Sequence, residues 1–244
     1  MNKLSILIKG ELQRLNKYNV TTISFVVALI WFLLLYFIDD IDLLSSMLPF
    51  IIVVDATMMS ILYIGAMMFF EKTESTISTM LVTPVSNKEM ILSKVIANTI
   101  HMLFSSMLII IVFFFLKNVE VNWILVILAL VLSVSFHSLL GFMFSYHTKD
   151  FTSMLVGVMM YSFVFLIPPT LNLFNILFKG EVWEHVLLIL PTQAAIKLIE
   201  VGFGAEIELK FYISLGVILF GGLALYKFYI LPKFKDYAIK QSGV

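Results

Sequence analysis

The sequence predicts an all-α membrane protein in which a single domain, residues 1–244, contains six transmembrane helices. Apolar residues make up 61% of the 244-residue chain and charged residues only 13%, about half the charged fraction of an ordinary soluble domain. Apolar runs of about 20 residues recur along the chain, and a helix of that length crosses a hydrocarbon core of about 30 Å. The runs show no strand-like alternation with a period of two, which favours helices over strands.

Composition also excludes several classes of function. The chain has no cysteine, so disulfides, thiolate nucleophiles and cysteine-ligated metals play no part in its chemistry. Its formal net charge is zero, which argues against a nucleic-acid partner. The motifs H-E-x-x-H and G-x-S-x-G are both absent, so we do not predict an intramembrane enzyme or a metal site.

The N-terminal residues 1–19 are predicted to form an amphipathic helix that lies in the membrane interface. Its apolar face carries Leu4, Leu7, Ile8, Leu12 and Leu15, and most of its charged residues lie opposite. Glu11 does not fit this pattern, because at 100° per residue it projects between Leu7 and Leu15. Either Glu11 is solvated, or it contacts another cytoplasmic element. No small-residue cleavage pattern follows the first apolar run, so we expect a retained span and not a signal peptide.

The six predicted spans and the distribution of basic residues give the orientation. The spans cover residues 20–38, 48–70, 95–116, 122–145, 153–178 and 211–231. An even number of spans places both termini on one side. Twelve of the 16 basic residues then fall on the side of the termini, and the positive-inside rule makes that side cytoplasmic.

An outer helix pair is predicted over residues 182–203, before the last span. Its apolar run is too short to cross a membrane, is interrupted by Pro191 and is bounded by acidic residues. Two short helices that enter the outer leaflet and return fit this pattern. A seventh span would instead put the basic C-terminal residues outside.

The loop between spans two and three, residues 71–88, is too hydrophilic for lipid but has an apolar side. Pro84 ends its short helix, and Ser86 or Asn87 can cap the helix that follows. A helix held by two spans would pass any motion of a bound partner to both of them, so we call residues 71–88 the coupling segment. An ordinary capped loop is the alternative. The candidate site residues are Glu71, Lys72, Glu74, Ser75, Thr76, Met80, Leu81, Thr83 and Pro84.

Four polar residues lie within the predicted spans and are candidates for a substrate path. They are Asp55, His101, His137 and Asn172. Asp55 is either neutral, bonded to a polar neighbour such as Asn172, or in contact with a cationic substrate. The two histidines are either neutral and bonded to Ser105, Ser133 or Asn98, or part of a proton or substrate path.

The coupling segment resembles a known family. The order Glu71, Lys72, Ser75-Thr76, Met80-Leu81, Thr83-Pro84 and Lys94 is similar to the cytoplasmic segment of permease subunits in ABC transporters of the second exporter type. The likeness is greatest to the fluoroquinolone and multidrug export permeases. Ser75 stands where that family usually has glycine. "LPTQAAIKLIEVGF", residues 190–203, resembles the proline-containing outer helix of the same permeases.

The resemblance implies a permease subunit in a bacterial plasma membrane that exports an amphiphilic drug, antibiotic or lipid-like substrate. It implies two separate ABC ATPase subunits that carry ATP and Mg, a second permease copy or paralogue, surrounding lipids, and no cofactor on this chain. The chain has no G-x-x-x-x-G-K-[ST] motif, which is consistent with ATP hydrolysis on another subunit. The alternative is an ion- or proton-coupled secondary transporter that uses Asp55, His101 and His137.

Overall fold

A computed structural model describes residues 2–38, 41–117 and 119–239, and the secondary structure within these ranges is helical. Five helices are long and apolar enough to cross a membrane, and the number rises to seven if each of two bent helix pairs counts as one span. The prediction of an all-α membrane protein is confirmed. The exact number of spans, six by sequence, stays a prediction.

The helices follow the predicted order along the chain. Their bounds are α1 Lys3–Lys17, α2 Val20–Tyr36, α3 Ile41–Thr73, α4 Thr76–Leu81, α5 Asn87–Lys117, α6 Trp123–His147, α7 Phe151–Leu173, α8 Glu181–Leu187, α9 Pro191–Glu200, a 3₁₀ turn Val201–Phe203, α10 Leu209–Leu225, a π-helical turn Tyr226–Ile230 and α11 Leu231–Ile239. The coupling segment therefore contains the end of α3, all of α4 and the start of α5.

The first two helices are separate elements because the chain turns sharply between them. Lys3–Lys17 and Val20–Leu34 meet at an angle of 63°. Asn19 makes the turn with a φ of 58°, a left-handed conformation that asparagine tolerates better than most residues. This bend leaves α1 free to pack along α5.

The centre of the protein is formed by α3, α5 and α6, which pack against one another. Gly141 lets α6 approach α3 closely: a Cβ atom there would lie 2.7 Å from Cβ of Ile64 and 2.9 Å from the carbonyl oxygen of Ile61. Small residues at such crossings allow the close helix packing that stabilises membrane proteins.

A buried polar cluster joins the same three helices. Nδ2 of Asn98 on α5 donates to Oγ of Ser60 on α3 at 2.7 Å and to Oγ of Ser138 on α6 at 2.9 Å. All three side chains are almost completely buried. Polar bonds between membrane helices contribute roughly 0.6–2 kcal/mol each, so this cluster fixes the relative position of the central helices.

Helices α7 and α10, at the periphery of the helix bundle, expose large apolar side chains. Met160 and Phe163 on α7 are 62% and 58% exposed, and Phe220 on α10 is 69% exposed. Such surfaces are suited to lipid or to another membrane subunit.

Several helix ends differ from the predicted spans: α3 and α5 begin earlier, at Ile41 and Asn87, and the ends of α7 and of the last helix also differ. Helix α7, which corresponds to the fifth predicted span, ends at Leu173, before residue 178. It ends there because Asn175 and Phe178 adopt left-handed conformations and Asn172 Nδ2 donates to the carbonyl of Phe178 at 2.7 Å. The sixth predicted span also ends too early: α10, the π-helical turn and α11 follow one another without a break, so the helix continues past residue 231 to Ile239. The lysines beyond residue 231 end the apolar run without ending the helix.

Candidate functional site at the coupling segment

The coupling segment folds as a helix–turn–helix connection. The chain leaves α3 at Thr73, and Ser75 adopts a left-handed conformation with a φ of 56° before α4 begins at Thr76. The start of α5 is held by a capping box, in which the backbone N–H of Glu89 donates to Oγ of Ser86 at 3.2 Å and the backbone N–H of Ser86 donates to the Glu89 carboxylate at 2.8 Å. The predicted cap at Ser86 is confirmed.

The apolar side of α4 is buried against the C-terminal helix α11 as well as α3. Ile77 is only 2% exposed and belongs to an apolar cluster with Met90 on α5 and Phe234 and Ala238 on α11. Met80 and Leu81 pack around this cluster. The short helix is therefore packed onto the body of the protein through α3 and α11.

A buried charge cluster, formed by Glu11, Arg14, Glu71 and Lys94, lies at the base of the coupling segment. Lys94 Nζ is 2.7 Å from Oε1 of Glu11 and also pairs with Glu71. Arg14 pairs with Glu71, and its Nη1 lies 3.4 Å from Oε2 of Glu11. The cluster thus links α1, α3 and α5 through two acids and two bases.

Because the charge cluster is buried, its ion pairs affect the stability of the protein. The side chains of Glu71, Lys94 and Glu11 are 0%, 2% and 6% exposed, whereas Arg14 is 24% exposed. Removing one partner of a buried pair leaves an uncompensated charge and costs about 3–5 kcal/mol. Of the two alternatives that the sequence allows for Glu11, solvation or contact with another element, the structure shows the contact, with Lys94 on α5.

Helix α1 touches the coupling segment at both of its ends. Lys3 Nζ donates to the carbonyl of Pro84 at 3.1 Å, and the hydroxyl of Tyr18 donates to the Glu74 carboxylate at 2.5 Å. The ring of Tyr18 also lies 4.7 Å from that of Phe70, centroid to centroid. The two ends of the N-terminal helix therefore contact the coupling segment on either side of α4.

The predicted site residues differ in burial, from fully buried to exposed. Glu71 is buried and acts through its ion pairs, and Oγ1 of Thr76 donates to the Glu71 carbonyl at 3.3 Å. The half-buried ones are Lys72, Thr76, Met80 and Leu81, and the exposed ones are Glu74, Ser75, Thr83 and Pro84. Three neighbours in the same segment, Thr73, Thr79 and Val82, are exposed as well. Val82 is 86% exposed, so this end of α4 presents an apolar side chain to the surroundings.

The structure does not bring the four polar residues of the predicted spans together. No described hydrogen bond or ion pair joins any two of them. His137 bonds the carbonyl of Ser133 at 2.7 Å and the hydroxyl of Tyr161 at 3.1 Å, and Asn172 bonds Phe178 instead of Asp55.

Asp55 and His101 both face α2. The Asp55 carboxylate lies next to the Trp31 side chain, and Nε2 of His101 lies 3.4 Å from Oγ of Ser24. Oδ2 of Asp55 and Nδ1 of His101 have no hydrogen-bond partner among the residues that the structure describes. These two buried atoms have unused bonding capacity at the junction of α2, α3 and α5.

Sequence patterns missed several residues that form the site. Arg14, Lys3 and Tyr18 lie far from the coupling segment along the chain, and Phe234 lies beyond the predicted last span. Within residues 2–38, 41–117 and 119–239 no group of three or more acidic or histidine side chains could hold a metal ion.

Comparison with known proteins gave one match. The family described as ABC-2 type transporter matches residues 2–203, a range that includes the coupling segment, the whole charge cluster and the outer helix pair. No curated protein and no solved structure matched the chain.

Proposed function

The chain belongs to the ABC-2 type transporter family, and from this membership we propose that it is the permease subunit of an ATP-driven exporter. As a member it is a multi-pass membrane protein and a transport permease. The proposal adds that two separate ABC ATPase subunits bind and hydrolyse ATP with Mg. It also adds that a second permease copy or paralogue completes the complex, and that both termini are cytoplasmic.

The observation that carries the proposal is the attachment of the coupling segment to the rest of the protein. Its exposed end, Thr79 and residues 82–84, is accessible to a partner, while Ile77 and Glu71 fix its base in the apolar cluster and the charge cluster. A force applied to the exposed end therefore reaches α1, α3, α5 and α11 together.

The same contacts indicate how nucleotide would drive transport. Closure of the ATPase pair on ATP would displace α4, and the charge cluster would carry that displacement into α3 and α5. The Ser60–Asn98–Ser138 bonds then connect α6 to the same movement. Alternating access follows if the two positions of this helix group are two states whose populations nucleotide shifts.

For the substrate we propose an amphiphilic drug, antibiotic or lipid-like compound that is moved outward. The unpaired Oδ2 of Asp55 supports a contact with a cationic or hydrogen-bond-donating part of such a compound near α2. His101 also faces α2. His137 and Asn172 are assigned to packing because they bond the backbone carbonyls of Ser133 and Phe178.

The exposed end of the coupling segment provides the test. In proteoliposomes that contain the permease with its co-purifying ABC ATPase, Val82→Asp is expected to reduce ATP-dependent transport at least tenfold without changing the unfolding temperature of the permease. Val182→Asp is the matched control, because Val182 is similarly exposed, 75% against 86%, but lies on the outer helix α8. Transport by Val82→Asp at the wild-type rate would contradict the proposal.

A further inference from the structure

We propose that the cavity between the ends of α3, α6 and α11 binds a phosphate group, either as the headgroup of an anionic phospholipid or as a free phosphate. The cavity has a volume of about 510 Å³ and opens to the surface at the same end of the protein as the coupling segment. Lys72 from the end of α3, Lys149 from the α6–α7 connection and Lys233 from α11 line it, and Asp236 is the one acid among the described residues of its wall.

The three lysines are available for an anion. Throughout the described part of the chain, none of them forms an ion pair with an acidic side chain. The nearby Asp150 lines a smaller adjoining cavity, and its Oδ1 accepts from the backbone N–H of Ser153 at 2.7 Å. Asp150 is thus engaged at the start of α7, and the three lysines outnumber the two carboxylates, Asp150 and Asp236, that line the two adjoining cavities.

The walls of the cavity are fixed by contacts between α6 and the last helix. The hydroxyl of Tyr146 donates to the carbonyl of Ile230 at 3.3 Å, and the rings of His147 and Tyr229 are stacked with centroids 5.9 Å apart. Lys233 Nζ lies 4.0 Å from the centroid of the Tyr229 ring. Lys233 is therefore placed against the aromatic side chains beside the cavity, with its ammonium group within reach of an anion there.

The surroundings favour a phospholipid. Leu223 on α10 and Phe228 in the π-helical turn precede Lys233 along the chain and are 57% and 74% exposed, and Val156 on α7 is 52% exposed. Acyl chains can lie along these apolar surfaces while the headgroup enters the cavity. Basic cavities between transmembrane helices on the cytoplasmic side are typical sites for anionic headgroups, and the volume lies in the range of small-molecule sites.

The test compares two double variants that remove the same charge. Lys149→Gln with Lys233→Gln removes two cavity lysines, whereas Lys88→Gln with Lys235→Gln removes two exposed lysines from the same end of the protein that do not line the cavity. Delipidated full-length protein is titrated with dioctanoyl phosphatidylglycerol, dioctanoyl phosphatidylcholine and inorganic phosphate, and binding is measured by native mass spectrometry and by the unfolding temperature.

We expect the wild type and the Lys88/Lys235 variant to prefer phosphatidylglycerol over phosphatidylcholine, and the cavity variant to bind phosphatidylglycerol roughly twentyfold more weakly. Lys149→Arg with Lys233→Arg is expected to keep the affinity. If inorganic phosphate at equal concentration displaces phosphatidylglycerol, the site binds a soluble phosphate. If it does not, the site binds the lipid. Equal loss of phosphatidylglycerol binding in both double variants, or unchanged binding by the cavity variant, would overturn the proposal.

Discussion

Lys94 is the residue whose removal should disturb the coupling segment most. Its Nζ pairs with both Glu11 and Glu71, and its side chain is 2% exposed. Lys94→Met keeps the length and the apolar stem but leaves two buried carboxylates with Arg14 as their only cationic partner in the cluster. Breaking a buried ion pair in this way costs about 3–5 kcal/mol.

That cost converts to a measurable shift in the unfolding temperature. An unfolding entropy of about 2.1 cal/mol/K per residue gives roughly 0.5 kcal/mol/K for a 244-residue chain. Lys94→Met is therefore expected to lower the unfolding temperature by about 6–10 °C in a thermal scan of the detergent-purified protein. Lys88→Met, at an exposed position on the same helix, is the matched control and should change the temperature by less than about 2 °C.

A double-mutant cycle isolates the ion pair from other effects of the substitution. Glu11→Gln combined with Lys94→Met removes one positive and one negative charge and leaves the Arg14–Glu71 pair, so the double variant should be more stable than the sum of the single effects predicts, by about 1 kcal/mol or more. If the two effects simply add, or if Lys94→Met is as stable as Lys88→Met, the buried charge cluster does not hold α1, α3 and α5 together.

Three further predictions concern the backbone and the apolar contacts, each checked by thermal unfolding in detergent. Ser75→Gly should stabilise the protein by about 0.5–1 kcal/mol, because glycine adopts the left-handed conformation without the roughly 1–2 kcal/mol cost of a side chain. Ser75→Ala should give no gain in stability. Equal effects of the two substitutions would show that the backbone at Ser75 is not strained. Phe234→Ala should lower the free energy of unfolding by about 3–5 kcal/mol, because Phe234 is fully buried. Phe228→Ala, at a 74% exposed site, should lower it little. Similar losses of stability in the two variants would argue against the α4–α11 contact. Gly141→Ala should cost about 1–3 kcal/mol by forcing α6 away from α3, and a loss no larger than that of Gly10→Ala, where a Cβ meets open space, would show that the helices do not touch there.

The fold class could be predicted from the sequence because one physical quantity decides it. Hydrocarbon thickness sets the length of an apolar helix, so apolar runs locate α3, α5, α6, α7 and α10 directly. Helix ends are harder, because local hydrogen bonds decide them. The bond from Asn172 to Phe178 and the continuation of the last helix beyond residue 231 leave only weak traces in hydropathy.

The candidate site was predictable in position but not in its connections. The polarity of residues 71–88 and Pro84 located the coupling segment, and Glu11 stood out as an acid on an apolar helix face. Its partner could not be found from the pattern, because Lys94 is 83 residues away along the chain and only the packing of α1 on α5 brings the two together. Ser75 is a further case: its departure from the family's glycine becomes meaningful only with its left-handed backbone.

The most direct test of the central claim uses the absence of cysteine from the chain. Val82→Cys and, as its counterpart on the outer pair, Val182→Cys are each labelled with a membrane-impermeant maleimide in intact cells and in inverted vesicles, with and without the ABC ATPase bound. We predict that Val82→Cys is labelled only in inverted vesicles and is protected by the ATPase, while Val182→Cys is labelled only in intact cells. Labelling of Val82→Cys in intact cells, or equal labelling with and without the ATPase, would contradict a role for this segment in receiving force from the ATPase.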